Sequence, residues 1–143
     1  MFVDLKNLPK VSYEGMNGVH EREVKLLNEL YDAILEGNVE RVDFLLEEFL
    51  KDVEGHFSYE EDLMRRTGFF AFNCHFEEHQ RVRKELERVK KEWKVSKDLK
   101  LLAEYLEKTF KPWISQHILT MDTVTAEWVS SLLNGLSLRF GRI

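Results

Sequence analysis

Residues 56–60, His56-Phe57-Ser58-Tyr59-Glu60, and residues 75–79, His75-Phe76-Glu77-Glu78-His79, each set two metal-ligating side chains four positions apart. On an α-helix each residue advances about 100°, so positions four apart lie about 40° from each other and share a face. A third segment, His117-Ile118-Leu119-Thr120-Met121-Asp122, brings another imidazole with a carboxylate, and His20 stands by itself nearer the N-terminus. These segments hold all five histidines of the chain. Imidazoles and carboxylates on inward faces are what a first-row transition metal needs. Four such segments, one per predicted helix, read as a two-metal site in the core of a helix bundle.

The sequence around them supports helices. Asn17 is placed to cap a first helix, with His20 in its first turn and Val24, Leu27, Leu30, Tyr31 and Ile34 at helical spacing up to Gly37. Asn38 can cap a second, with Glu40 favourable near its positive end. The apolar face of that helix runs from Val42 through Phe49, His56, Phe57 and Glu60 to Met64, and Thr67-Gly68 stops it. A third helix starts between Phe70 and Asn73 and carries His75, His79, Val82, Leu86 and Val89, with Trp93 near its end. Ser96 and Asp98 start a fourth through Leu99, Leu102, Leu106 and Phe110, where Pro112 predicts a kink just before Trp113. Trp128, Val129, Leu132, Leu133 and Leu136 suggest a short extra helix interrupted near Gly135. The short connections predict an all-α, antiparallel up-down-up-down four-helix bundle in a single domain over 1–143. Its parts are an N-terminal arm over 1–16, a metal-binding bundle over 17–122 and a C-terminal extension over 123–143. Phe2, Leu8 and Tyr13 of the arm would pack over one end of the bundle.

The totals narrow the classes. With 143 residues, 43% apolar and 33% charged, the chain reads as a soluble globular protein able to bury a substantial core. Net charge is −5 and acidic and basic residues are mixed, so no basic patch supports nucleic-acid binding. No apolar run approaches membrane-spanning length, and Met1 to Lys10 lacks the pattern of a secretory signal. Cys74 is the single cysteine, which excludes an intrachain disulfide and points to a cytoplasmic location.

Each piece also has a plainer explanation. Acidic residues number 26 of 143, so any histidine has roughly a one-in-five chance of an acid four positions on. His56 with Glu60 alone would suit a solvated pair, whereas His75 with His79 forms a natural chelate. His117 and Asp122 are five apart, about 140° around a regular helix. They converge only if the backbone near Asp122 leaves ideal geometry, or if the acid bridges from a helix end. Five metal-free histidines against Phe57, Phe76, Trp113 and Ile118 would each cost a few kcal/mol where unpaired. The metal explanation is the better one. Cys74 reads as a small buried packing residue, Gly55 as a place for close helix approach, and Glu61, Glu77 and Glu78 as solvated or outer residues rather than ligands.

At this point the chain resembles the hemerythrin family, including its bacteriohemerythrin-like single-domain members. His56-Phe57-Ser58-Tyr59-Glu60-Glu61-Asp62-Leu63-Met64 is similar to the family's second-helix signature, and residues 75–79 to its third-helix pair. Trp113-Ile114-Ser115-Gln116-His117-Ile118, with Asp122 five beyond the histidine, resembles its fourth helix. His20 followed by Leu26, Leu27, Asn28, Glu29, Leu30, Tyr31 and Ala33 resembles its first. The chain departs from the pattern at Asn17 (usually Asp), at Ile114 (usually Leu) and in some 20 residues after Asp122.

The resemblance implies two non-haem iron ions with an oxo or hydroxo bridge. His75, His79 and His117 would hold one and His20 and His56 the other, with Glu60 and Asp122 bridging and one position left open. It implies reversible dioxygen binding for storage, delivery or sensing, by a monomer or homodimer that is not an enzyme. Trp113, Ile114 and Phe57 are nominated as the apolar wall that restricts water. A diiron enzyme (an oxidase, a peroxidase or a nitric-oxide-scavenging reductase) stays open as the alternative, as does a zinc-filled scaffold. The residues three before the histidines are Asn17, Val53, Phe72, Phe76 and Ile114, so the Glu-x-x-His pairs of ferritin-like diiron proteins are absent.

Overall fold

Short turns with strong stop signals divide the chain into four helical arms. The computed structural model describes the backbone of residues 1–140 and the side chains of residues 1–135, and no strand occurs among them. The first three arms are α1 (Glu14–Leu35), α2 (Val39–Thr67) and α3 (Phe72–Ser96). The fourth comprises α4 (Leu99–Tyr105), α5 (Lys111–His117) and α6 (Thr123–Phe140), joined through π-helical turns at Leu106–Phe110 and Ile118–Asp122. Gly37 and Gly68 take the left-handed conformation (φ 71° and 63°) that ends α1 and α2, where a Cβ would be strained. Asn38 caps α2 by accepting from the Arg41 N–H, and Asp98 caps α4 by accepting from Leu101.

Cross-arm pairs fix the antiparallel register. Arg22 of α1 meets Asp52 of α2, Trp93 and Lys90 of α3 meet Asp43 and Glu47 of α2, and Tyr105 of α4 meets Glu85 of α3. Tyr31 of α1 meets Glu107 of the fourth arm, while His20, further back along α1, meets Asp122, further forward along that arm. An apolar core of Leu27, Leu30, Phe49, Leu86, Leu106 and Phe110 fills the half of the bundle near the α1–α2 and α3–α4 turns. Burying each such side chain stabilises the fold by roughly 1.5–3 kcal/mol. Phe49 and Phe110 meet there edge to face, with centroids 5.1 Å apart.

Several sequence expectations are corrected. Helix α1 begins at Glu14, so Asn17 is not its cap and His20 lies beyond the first turn. Asn17 is buried and binds both backbone groups of Val11, and Asn28 does the same for Val3. The N-terminal segment therefore lies along α1, with Phe2 stacked on Tyr31 at 4.0 Å, rather than over one end of the bundle. The kink expected at Pro112 takes the form of a wide turn: the Lys111 N–H reaches back five residues to the Leu106 carbonyl, and the chain stays helical. Cys74 is exposed rather than packed. No side chain crowds Gly55; the close approach is at Gly15, where a Cβ would strike the Tyr59 hydroxyl. The extra helix continues the fourth arm through Gly135 without interruption. Val129 is buried, Leu132 and Leu133 are exposed, and the Leu136 side chain lies outside the described residues.

The two asparagine latches carry a measurable load. Asn17→Ala or Asn28→Ala strands a buried N–H and C=O, which should cost about 1–3 kcal/mol each. A shift in the urea midpoint checks this; an unchanged midpoint would mean that the arm contributes nothing to folding.

Candidate metal centre

Four arms each present part of one cluster. His20 comes from α1, His56 and Glu60 from α2, His75 and His79 from α3, and His117 and Asp122 from the fourth arm. All seven are buried, none more than 3% exposed. Asp122 arrives by way of the π-helical turn at Ile118–Asp122, in which the Thr123 N–H bonds the Ile118 carbonyl five residues back. One extra residue is thereby absorbed into the turn, so position i+5 falls where i+4 would on a regular helix. That departure brings Asp122 Oδ1 to 3.1 Å from His117 Nε2.

The carboxylate oxygens divide the histidines into two sets. Glu60 Oε2 lies 3.0 Å from His20 Nε2 and 2.8 Å from His56 Nε2, and Asp122 Oδ2 lies 2.9 Å from His20. Glu60 Oε1 lies 3.3 Å from both His75 and His79, and Asp122 Oδ1 lies 3.1 Å from both His75 and His117. Each carboxylate thus offers one oxygen to a set with three imidazoles and the other to a set with two. Within each set the donor atoms lie within 4.8 Å of one another.

The chemistry of the unpaired atoms fits metal. Glu60 Oε1, His79 Nε2 and both oxygens of Asp122 are buried without a hydrogen-bond partner, and all belong to this cluster. Such groups cost free energy unless something binds them. His75 Nε2 and His117 Nε2 approach to 3.2 Å, which leaves room for one proton between two nitrogens or for a shared cation. Three of the five outer ring nitrogens are engaged: His56 Nδ1 donates to Glu23, His79 Nδ1 to Glu61 and His75 Nδ1 to the Thr125 hydroxyl, each at 2.8 Å, whereas His20 Nδ1 is buried without a partner. Such bonds select the tautomer whose Nε2 lone pair faces inward.

Electrostatics follow from this crowding. Burial pulls His20 and His75 down, but the Asp122 and Glu60 carboxylates beside them outweigh it and leave both at about 9. His56 is likewise raised, with Glu60 and Glu23 overcoming desolvation, whereas for His79 burial prevails and lowers it. Burial opposes charge on Glu60, yet the surrounding histidines, His56 foremost, hold its carboxyl well below the usual range. Asp122 is lowered too, since His117 and His20 outweigh burial and the neighbouring Glu60.

Aromatic rings cover the three-imidazole set. Phe57 lies parallel on His79 with centroids 4.0 Å apart, and Trp113 stacks on His117 at 4.5 Å. Trp113 is fixed by donating Nε1 to Glu78 at 2.8 Å. Ile114 is fully buried on α5, one turn before His117. Glu61 takes the outer role expected of it. Glu23 and Thr125 were not singled out from the sequence. Their signal was helical spacing, since Glu23 stands three after His20 and Thr125 three after Asp122, but the partner of each lies on another arm.

Fold and site together define a helical-bundle protein built around a buried histidine–carboxylate cluster able to bind metal. The family model described as "Hemerythrin HHE cation binding domain" matches residues 11–129. The chain is also 39% identical over 127 residues to "Bacteriohemerythrin" of Aquifex aeolicus (strain VF5), covering 89% of this chain and 97% of that protein. The chain belongs to the hemerythrin family. No solved structure matches it significantly. Among the described residues no helix is long and apolar enough to cross a membrane.

Proposed function

We propose that this chain, acting as one domain, binds dioxygen reversibly at a non-haem diiron centre and so serves oxygen storage, delivery or sensing. The observation that carries this reading is the unequal division of donors: three imidazoles and two oxygens against two imidazoles and the other two oxygens. One solvent-derived bridge would complete six ligands on the first side and five on the second, leaving a single open position. When bound, two irons would supply two electrons and that open position to dioxygen. His75, His79 and His117 would hold one iron, His20 and His56 the other, and Glu60 and Asp122 would bridge. Phe57, Trp113 and Ile114 would keep water from the imidazoles, and the apolar contacts around Phe57 and Trp113 support that role.

The deciding experiment reduces the protein anaerobically, counts iron per chain and cycles air and vacuum while the visible spectrum is recorded. Two irons and a colour that returns with each cycle are expected. Irreversible bleaching with release of a product would replace the carrier with an enzyme, and a sample that holds zinc alone would leave a scaffold.

Two further outcomes follow from the same residues. Proton and metal compete for the same nitrogens. With His20 and His75 at about 9 in the metal-free fold, against an ordinary 6.5, their stabilisation is complete below about pH 6.5 and fades as pH rises towards 9. Metal uptake at neutral pH should therefore release the protons of His20, His56 and His75, and apparent affinity should climb across that window. A pH-stat titration that detects no release would contradict this. Ile114→Ala should shorten the lifetime of the oxygenated form by admitting water. An unchanged lifetime removes Ile114 from the wall.

A further inference from the structure

The outer hydrogen bonds of the cluster are unequal in charge. On the two-histidine side, Glu23 accepts from His56 Nδ1 through Oε1, and its Oε2 has no partner. Glu23 is fully buried. Its neighbour Arg22 pairs with Asp52, and among the described residues no Lys or Arg pairs with Glu23. On the three-histidine side, Glu61 accepts from His79 Nδ1, but the Arg83 guanidinium binds both Glu61 oxygens, at 2.8 and 3.1 Å, a cation that it shares with the more exposed Glu54. His75 leans on the Thr125 hydroxyl, which is neutral. One side thus carries a buried carboxyl group with no cationic partner, and the other a buried carboxyl group against a guanidinium.

Charge balance gives this asymmetry a consequence. Two ferrous ions, the Glu60 and Asp122 carboxylates and a bridging hydroxide would sum to one positive charge in a buried site. Glu23 offsets that charge with no cation beside it, while Arg83 offsets part of the charge of Glu61 and of the more exposed Glu54. An anion hydrogen-bonded to a ligating imidazole raises its basicity and so favours the more highly charged, oxidised metal.

We propose that Glu23 and Arg83 are opposed positioning residues that set the reduction potential of the centre. Glu23 acts through His56 to favour the oxidised state, and Arg83 screens Glu61 to restrain the same effect through His79. This inference rests on iron occupying the cluster as proposed above.

Anaerobic spectroelectrochemical titration of the iron-loaded full chain tests it, with the same-shape variant Glu23→Gln beside Arg83→Gln. At fixed potential, Glu23→Gln should lower the oxidised-to-reduced ratio about tenfold, equivalent to ~59 mV for a one-electron step. Arg83→Gln should raise the ratio severalfold. A structural defect has no reason to move the two in opposite directions. Shifts of the same sign, or a shift below twofold in either variant, would overturn the proposal. If Glu23→Gln fails to retain iron, Glu61→Gln takes its place: it should lower the ratio where Arg83→Gln raises it, and the same criteria apply. The test is separable from the function itself. A wild-type sample that holds two irons but does not release oxygen refutes reversible binding, while the potentials still decide the roles of Glu23 and Arg83.

Discussion

Glu60→Ala should empty both metal positions at once. Glu60 is fully buried, and its two oxygens reach His20 and His56 on one side and His75 and His79 on the other. Every other candidate ligand except Asp122 serves one set only. Losing an outer hydrogen-bond partner commonly costs a metal site 10–100-fold in affinity, and losing a shared direct donor should cost more than about 100-fold. The metal-free fold should suffer too. Breaking a buried ionic network by removing one partner destabilises by about 3–5 kcal/mol, because the remaining charges stay buried without compensation. Iron per chain after dialysis against a weak chelator and a denaturant melt of the metal-free protein read the two effects separately. Retention of one iron would show that Asp122 and the histidines suffice on one side, and the bridging role of Glu60 would fall.

Phe57→Ala should produce the second large effect. Its ring is fully buried, lies parallel on His79 and meets Trp113 edge to face at 6.0 Å. The Arg83 guanidinium stands 5.3 Å from the ring, adding a cation–π contact. Truncating a buried Phe costs about 3–5 kcal/mol through lost transfer energy and the cavity left behind. The vacated volume adjoins the imidazole of His79, so the oxygenated form should also decay faster. Phe57→Leu retains most of the apolar volume and should recover most of the stability. Stopped-flow decay and the denaturation midpoint check both parts. A normal lifetime in a destabilised Phe57→Ala protein would confine Phe57 to packing.

Much of this was legible one residue at a time. Pairs four apart, His56 with Glu60 and His75 with His79, share a face on any α-helix, so the common direction of each pair followed once the helices were assigned. The Asn38 cap and the Gly68 stop could be read because both act through local backbone groups. Asn17 was misread for the same reason. A capping residue and a buried amide that binds a distant backbone look alike in sequence, and here Val11 supplied the partners. Cys74 was misplaced because a residue type that favours burial says nothing about what another arm covers.

The identity and order of the candidate ligand side chains, the helical periodicity that turns them inward and the turns that make neighbours antiparallel belong to the linear chain, since each depends on spacing or on backbone conformation within a few residues. Three things waited for the folded molecule. The π-helical turn that admits Asp122, the sharing of carboxylate oxygens between three imidazoles and two, and the placing of Glu23 against His56 and Arg83 against Glu61 all require groups far apart in sequence to meet. A helix widens, and a buried carboxylate is tolerated, only where packing from other arms supplies the compensating contacts, and no local pattern encodes those.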